Sequence, residues 1–235
     1  MTTLNLLAKQ DFLEREANSR DPIRAISELV WNALDADATK VEVVFERNAL
    51  GGMAGIRVID NGHGIDDERA NHDFGNLGDS WKRQKHRTVG LSRAIHGKEG
   101  RGRLKFFALA QRAKWNTTFK TPEGALQSII IEINAKSLER CEVSEISPST
   151  SAMTGTTVEL KPLKDTFDWL GSTDAFRQFS TLFAPYVLQY PNAEIWFNTY
   201  QVDPNVTIHR WVDLPHKSVP LVDRTLDDLK IKVIE

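Results

Sequence analysis

A single cysteine, Cys141, stands in a chain of 235 residues, so no internal disulfide is available and a structural zinc site lacks its usual ligands. No apolar run approaches the ~20 residues of a membrane-spanning helix. The opening, MTTLNLLAKQDFLERE, lacks the charged start and long apolar stretch of a signal peptide. These absences set a cytoplasmic protein with no membrane partner as the expectation. Charge of either sign is not in excess: 30 Lys and Arg against 32 Asp and Glu leave a formal -2, which gives no global pull toward nucleic acid or lipid. The six histidines show no metal-ligand spacing. There is no GxxxxGK[ST] loop, no dinucleotide fingerprint and no nucleophile elbow, nor any fixed-period repeat or low-complexity tract. What remains, 40% hydrophobic and 26% charged, is a globular chain long enough to bury a core without covalent staples.

Asp21-Pro22 is a capping residue followed by proline at the first helical position. Ile23, Ile26, Val30 and Ala33 then recur at helical spacing, predicting a helix through Ala36. At about 100° per residue, Glu28, Asn32 and Asp35 fall within roughly 60° of one another on its polar side. A short charged helix is expected before it, over residues 8–18. After it, Lys40–Glu46 and Ile56–Ile59 read as a hairpin joined by the glycine-rich turn 48–55. The segment from Asp66 to about Lys82 can begin as a helix, which Gly75, Gly78 and Ser80-Trp81-Lys82 break. From Lys82 to Lys105 nine cations stand against the single acid Glu99, a basic stretch with four glycines that reads as a long mobile loop. A helix is expected from near Arg103 to about Ala113. Strands follow at 115–120, 126–134 and 156–160, with a Ser/Thr/Pro loop over 143–152. A helix over 174–189 and a strand over 193–198 complete the pattern. The proline-bearing tail beyond residue 200 looks like an extension.

Four short patterns carry the chemistry. Glu28, Asn32 and Asp35 share one helix face, which by itself is equally an ordinary solvated face. Asp60-Asn61-Gly62-His63-Gly64 closes a strand: glycine lets backbone approach a ligand, and a carboxylate there can accept from a base amino group, though a tight turn accounts for Asp-Asn-Gly alone. Gly97, Gly100 and Gly102 precede an expected helix start, where free N–H groups favour phosphate. Gly155-Thr156-Thr157 leads a strand.

In this order, Glu28-x-x-x-Asn32-x-x-Asp35-Ala36, Asp60-x-Gly62-x-Gly64, Gly97-x-x-Gly100-x-Gly102 and Gly155-Thr156 resemble the four ATP-binding boxes of the GHKL superfamily, which includes gyrase, heat-shock chaperones, histidine kinases, MutL and MORC ATPases. The resemblance covers roughly residues 20–200. It implies the Bergerat fold, an α/β (α+β) two-layer sandwich with a mixed, mostly antiparallel sheet and helices on one face. It also implies ATP and Mg2+ as ligands. Glu28 would be the general base and Asn32 the magnesium ligand. Asp60 would take the adenine amino group, helped by Thr156 or Thr157. Gly62 and Gly64 would bring backbone to the nucleotide, and Gly97, Gly100 and Gly102 would form the phosphate-facing end of a lid. Lys105, three residues after Gly102 where MORC-like proteins place a lysine two after, is the further phosphate-side candidate. Asp35 would support the site. Leu77–Lys82 resembles the segment before the lid in MORC-like and MutL-like proteins.

The function so implied is ATP binding and magnesium-dependent hydrolysis, with the ATP/ADP state gating lid closure and homodimerisation of a larger protein. Residues 1–200 would be the ATP-binding domain and 201–235 a connector toward a transducer-like domain. The basic stretch motivates the alternative, a nucleotide-sensing or nucleic-acid-clamping module in which ATP is held but scarcely turned over and DNA is a partner. A steep salt dependence of DNA binding would separate the two.

Overall fold

The computed structural model describes residues 10–17, 21–75, 86–96 and 102–207, with the short strand segments 211–213, 219–220, 225–226 and 232–234. Helix α1 (Gln10–Ala17) leads to α2 (Pro22–Asp35). Asp21 begins α2, as its Oδ1 accepts from Ile23 N at 3.0 Å and Arg24 N at 3.2 Å. Asp37, at φ 60°, turns the chain out of the helix. Strands β1 (Lys40–Arg47) and β2 (Met53–Asp60) pair antiparallel as the expected hairpin. Helix α3 spans Asp67–Gly75, and the rest of the segment to Lys82 lies outside the described residues.

The expected helix from Arg103 to about Ala113 is not formed. A 3-10 segment, Gly102–Ala108, takes its first half, and β3 (Arg112–Lys120) takes its end. Local propensity in Leu104–Ala113 favours helix, but Ala113, Trp115, Thr117 and Phe119 bury one face of a strand flanked on both sides by partners. Two ladders of backbone hydrogen bonds outweigh that propensity.

Strands β4 (Leu126–Asn134), β5 (Glu142–Val143), β6 (Ser147–Pro148) and β7 (Gly155–Leu160) follow. The two short strands fall in the stretch expected as loop, and both pair with β4. A 3-10 segment at Phe167–Gly171 precedes α4 (Thr173–Gln189), which carries the exposed Pro185 within it. Then come β8 (Glu194–Phe197), β9 (Tyr200–Gln201) and α5 (Pro204–Thr207).

Nine strands form one sheet in the order β5-β4-β3-β7-β2-β1-β8-β9, with β6 also on β4. Among the described residues every pairing is antiparallel except β1 with β8. The α4 crossover between β7 and β8 permits that parallel pair. Alternation sends Val41, Val43, Phe45, Ile56, Val58, Trp115, Ile129, Ile131, Val158, Ile195 and Phe197 to one face, where α2 lies against β1 and β2, α4 lies against β8, and Phe74 of α3 and Phe106 of the 3-10 segment meet Trp115. Phe197 stacks on Phe179 of α4 at 4.4 Å and meets Phe45 edge-on at 5.0 Å. The opposite face is charged. Glu132, Lys114, Glu159 and Arg57 stand in register across four strands with alternating sign, an arrangement that favours neighbouring cross-strand pairs. The helices therefore lie on one side, as a two-layer sandwich requires.

Within the expected extension, Val202 is buried and Ser180 on α4 is bonded to Thr207 on α5 at 2.6 Å. Farther on, β10 (Trp211–Asp213) pairs with β13 (Lys232–Ile234), and β11 (Val219–Pro220) with β12 (Thr225–Leu226), as two small separate sheets.

Candidate functional site

The three polar residues of α2 are placed differently from one another. Glu28 and Asn32 are half-buried, and Asp35 is buried. A Cβ on Gly102 would stand 2.9 Å from Glu28 Oε2 and 3.5 Å from Asn32 Nδ2. The chain thus returns against these two side chains, and glycine at 102 permits the approach. Gly97 and Gly100, with Leu77–Lys82, lie outside the described residues. Lys105 is half-buried on the 3-10 segment between buried Leu104 and Phe106.

Asp35 holds the segment that follows α3. Its Oδ1 accepts from His96 N at 3.0 Å. Residues 86–96, within the stretch expected as a mobile loop, form a small hairpin closed by Thr88 N to Arg93 O and Ile95 N to His86 O. Asp37 accepts from Gly90 N at 2.7 Å and Leu91 N at 3.1 Å. Arg93 is buried and donates to Ala38 O at 2.6 Å, with its guanidinium over the Tyr186 and Tyr190 rings. Tyr190 Oη accepts from Ala94 N. The His96 ring stacks on Trp31 at 3.8 Å and 14°. Two anchors on α2 therefore bracket residues 97–101: His96 against Trp31 and Asp35, and Gly102 against Glu28 and Asn32. Trp31, Asp37, Arg93, His96 and Tyr190 were not legible as site residues, because their partners are distant in sequence. Several cations of the basic stretch are also engaged internally: Arg87 donates to Ser92 O, Arg93 is buried, and the Arg103 guanidinium lies over the Phe74 ring.

The other end of the site lies where β2 runs out. Asp60 Oδ1 accepts from Gly62 N at 2.8 Å and Thr156 N at 3.2 Å, and Oδ2 has no partner among the described residues. Burial pushes the Asp60 carboxyl up to about 6, against the pull of those two amide bonds. Asn61 is a bracket: its Oδ1 accepts from Thr39 N and Lys40 N, tying the loop to the start of β1. Gly64 has φ 75°, and a Cβ there would collide with the Thr118 carbonyl. The sheet itself thus requires the second glycine of the loop. His63 is half-buried beside Arg69, whose Nη1 lies 2.9 Å from Nδ1, and burial followed by that cation lowers the imidazole pKa.

Pleating separates the two threonines of β7. Thr156 is buried on the helix-covered face, in register with Asp60 on β2 and Thr117 on β3. Thr157 lies on the opposite face, in register with Ile59 and Asn116, and is not brought to Asp60. Thr117, which no sequence motif marked, accepts from Ile65 N at 2.8 Å and lies 3.1 Å from Thr156 Oγ1.

The donor set fits an anionic nucleotide with a magnesium ion better than a metal held by protein alone. Among the described residues there is no group of three or more His, Cys, Asp or Glu placed to hold a metal. Magnesium typically takes few protein ligands and fills its shell with phosphate and water. Asn32, with the close approach at Gly102, suits that requirement, and the unpartnered Asp60 oxygen suits an amino group.

The family model for histidine kinase-, DNA gyrase B- and HSP90-like ATPases matches residues 21–159. DNA mismatch repair protein MutL of Acidiphilium cryptum is 44% identical over 64 residues, 27% of this chain and 10% of that protein. MutL of Brucella abortus is 45% identical over 64 residues, again 27% of this chain and 9% of its own length. The chain spans about a tenth of the length of these relatives. Among solved structures, the ATPase region of Saccharomyces cerevisiae topoisomerase II bound to ICRF-187 (dexrazoxane) superposes with a TM-score of 0.52 at 16% identity, covering 77% of this chain and 48% of that one. That likeness shows the fold.

Proposed function

We infer that this chain, which belongs to the family of histidine kinase-, DNA gyrase B- and HSP90-like ATPases, is an ATP-hydrolysing module whose nucleotide state gates a lid and the dimerisation of a larger protein. The observation that carries the reading is Gly102 set against Glu28 and Asn32, which joins a carboxylate, an amide and a close-approaching backbone at one point. Glu28 takes a proton from the attacking water. The Asn32 amide oxygen would hold Mg2+. That ion, when bound, spreads the charge developing on the transferred phosphoryl group. Gly97, Gly100 and Gly102 bring backbone N–H groups to the phosphates, and Lys105 adds charge on that side. At the far end Asp60 accepts from the adenine amino group beside Thr156, while Gly62 and Gly64 shape the loop. Thr157, on the opposite face, takes no part. The ATP-binding domain continues through β9 and α5, which join the main sheet and α4, and the connector begins after Thr207.

Phosphate release with and without magnesium tests this, together with Glu28→Ala. The variant is expected to bind ATP with little change and to lose about 100-fold or more in release. Release unchanged by the substitution refutes the base assignment. The names of the MutL relatives support a DNA-processing setting, in which DNA is a second ligand. DNA binding that falls steeply with salt would support it, and a flat response would leave the basic stretch to the nucleotide.

A further inference from the structure

Asp60, Thr156 and Thr117 form a cross-strand row over β2, β7 and β3. Thr117 is 2% exposed and Thr156 8%, so neither hydroxyl is freely hydrated. A threonine hydroxyl has one proton to donate and two lone pairs. The Ile65 amide can only donate, so its 2.8 Å bond occupies a lone pair of Thr117. The Thr117 proton then has two destinations: Thr156 Oγ1 at 3.1 Å or the Gly155 carbonyl at 3.4 Å. The 3.1 Å contact is made whichever hydroxyl donates, but with Thr156 donating the Thr117 proton is left with the 3.4 Å carbonyl, beyond the usual ~2.5–3.0 Å of an O–H···O bond, so an acceptor on the ligand selects the arrangement in which Thr117 donates. In that arrangement Thr156 accepts from Thr117 and retains its own proton. No other described residue engages the Thr156 hydroxyl, so that proton is available to a ligand. In the reverse arrangement Thr156 would spend its proton on Thr117 and offer a ligand only lone pairs.

We propose that Thr117 is a positioning residue for base recognition, acting through Thr156 to present a hydroxyl donor beside the Asp60 acceptor. The inference rests on reading Asp60 and Thr156 as the base end of an ATP site. An acceptor next to a donor is complementary to the adenine edge, whose amino group donates and whose ring N1 accepts. The guanine edge presents the reverse, a carbonyl acceptor and an N–H donor. The Ile65 amide takes one lone pair of Thr117 and holds its hydroxyl beside Thr156.

Equilibrium binding of ATP and 1-deaza-ATP, which lacks the N1 acceptor, tests the relay in the wild-type chain and in Thr117→Ser, Thr117→Val and Thr156→Val. The wild type is expected to favour ATP by about tenfold, the worth of one hydrogen bond. Serine at 117 retains the preference. Valine at 117, nearly the same volume, loses most of it, and in a Thr156→Val background it has no further effect. If the valine variant does not fold, Thr117→Cys, a weak donor of similar size, takes its place. A Thr117→Val variant, or Thr117→Cys in its place, that keeps the full preference, or weakens both nucleotides alike as a purely structural lesion would, overturns the proposal. Equal wild-type affinity for the two nucleotides overturns the donor assignment while leaving the ATP site standing. A wild type that binds no adenine nucleotide overturns the site reading and the relay with it.

Discussion

Nucleotide binding should be coupled to the proton on Asp60. Burial raises this carboxyl from 3.8 to about 6, and only the ionised form presents a pure acceptor to an amino group. At pH 7.5 nearly all empty sites are ionised, whereas at pH 5 about one in ten is. If binding requires the carboxylate, affinity falls about tenfold between those values. Adenosine is the ligand to use, because ATP phosphates titrate in the same range, and calorimetry in buffers of different ionisation heat reads the proton released on binding at acid pH. Stability moves the other way. The folded-state pKa lies above the unfolded value, so the empty fold holds this proton more tightly than the unfolded chain. The contribution of Asp60 to stability is then highest below 3.8, falls as pH rises through the window from 3.8 to about 6, and stays reduced above it. The shift corresponds to about 3 kcal/mol. Asp60→Asn keeps an oxygen for the Gly62 and Thr156 amides and removes the buried charge. It should raise the unfolding midpoint at pH 7.5 by several degrees and abolish adenosine binding. Adenosine affinity that is flat, or that rises, from pH 7.5 to 5 refutes the reasoning.

Gly102→Ala places a methyl 2.9 Å from Glu28 Oε2. Since that neighbour is the end of a flexible side chain, the fold should persist while phosphate release drops at least about tenfold; undiminished release contradicts the placement. Gly64→Ala meets both a positive φ and the Thr118 backbone, and should lower stability by more than about 2 kcal/mol in urea unfolding, with an unchanged midpoint counting against the argument. Cys141 is half-buried and its thiol is pushed from 9.0 up to about 11, chiefly by desolvation. At pH 8 its thiolate fraction is about a hundredfold below that of an ordinary thiol, so alkylation should slow by a similar factor, and a rate near that of free cysteine would show the burial to be wrong.

The sequence exposed whatever depended on local chemistry. Asp21-Pro22 announced α2, alternation announced β1, β2 and β4, and four ordered motifs announced the site class. What it concealed depended on distant partners. Ala113 belongs to a strand only because β4 and β7 flank it. The segment 86–96 is pinned because Asp35, Asp37, Ala38 and Tyr190 receive its donors from elements far away in the chain. Thr117 gave no signal, since a threonine alternating in a strand is ordinary, and its meaning comes from the row it completes with Thr156 and Asp60. The choice between Thr156 and Thr157 required the pleat.

Because α2 alone carries Glu28, Asn32, the Trp31 platform and the Asp35 anchor, its length is a fixed quantity. One residue inserted between Glu28 and Asn32 rotates everything beyond it by about 100°, turning Asn32, Trp31 and Asp35 away from Gly102 and His96 together. The tip of the β1–β2 hairpin bears no such constraint, for Leu50 there is 96% exposed. Variation in chain length among natural relatives should therefore gather at that tip and be absent from α2.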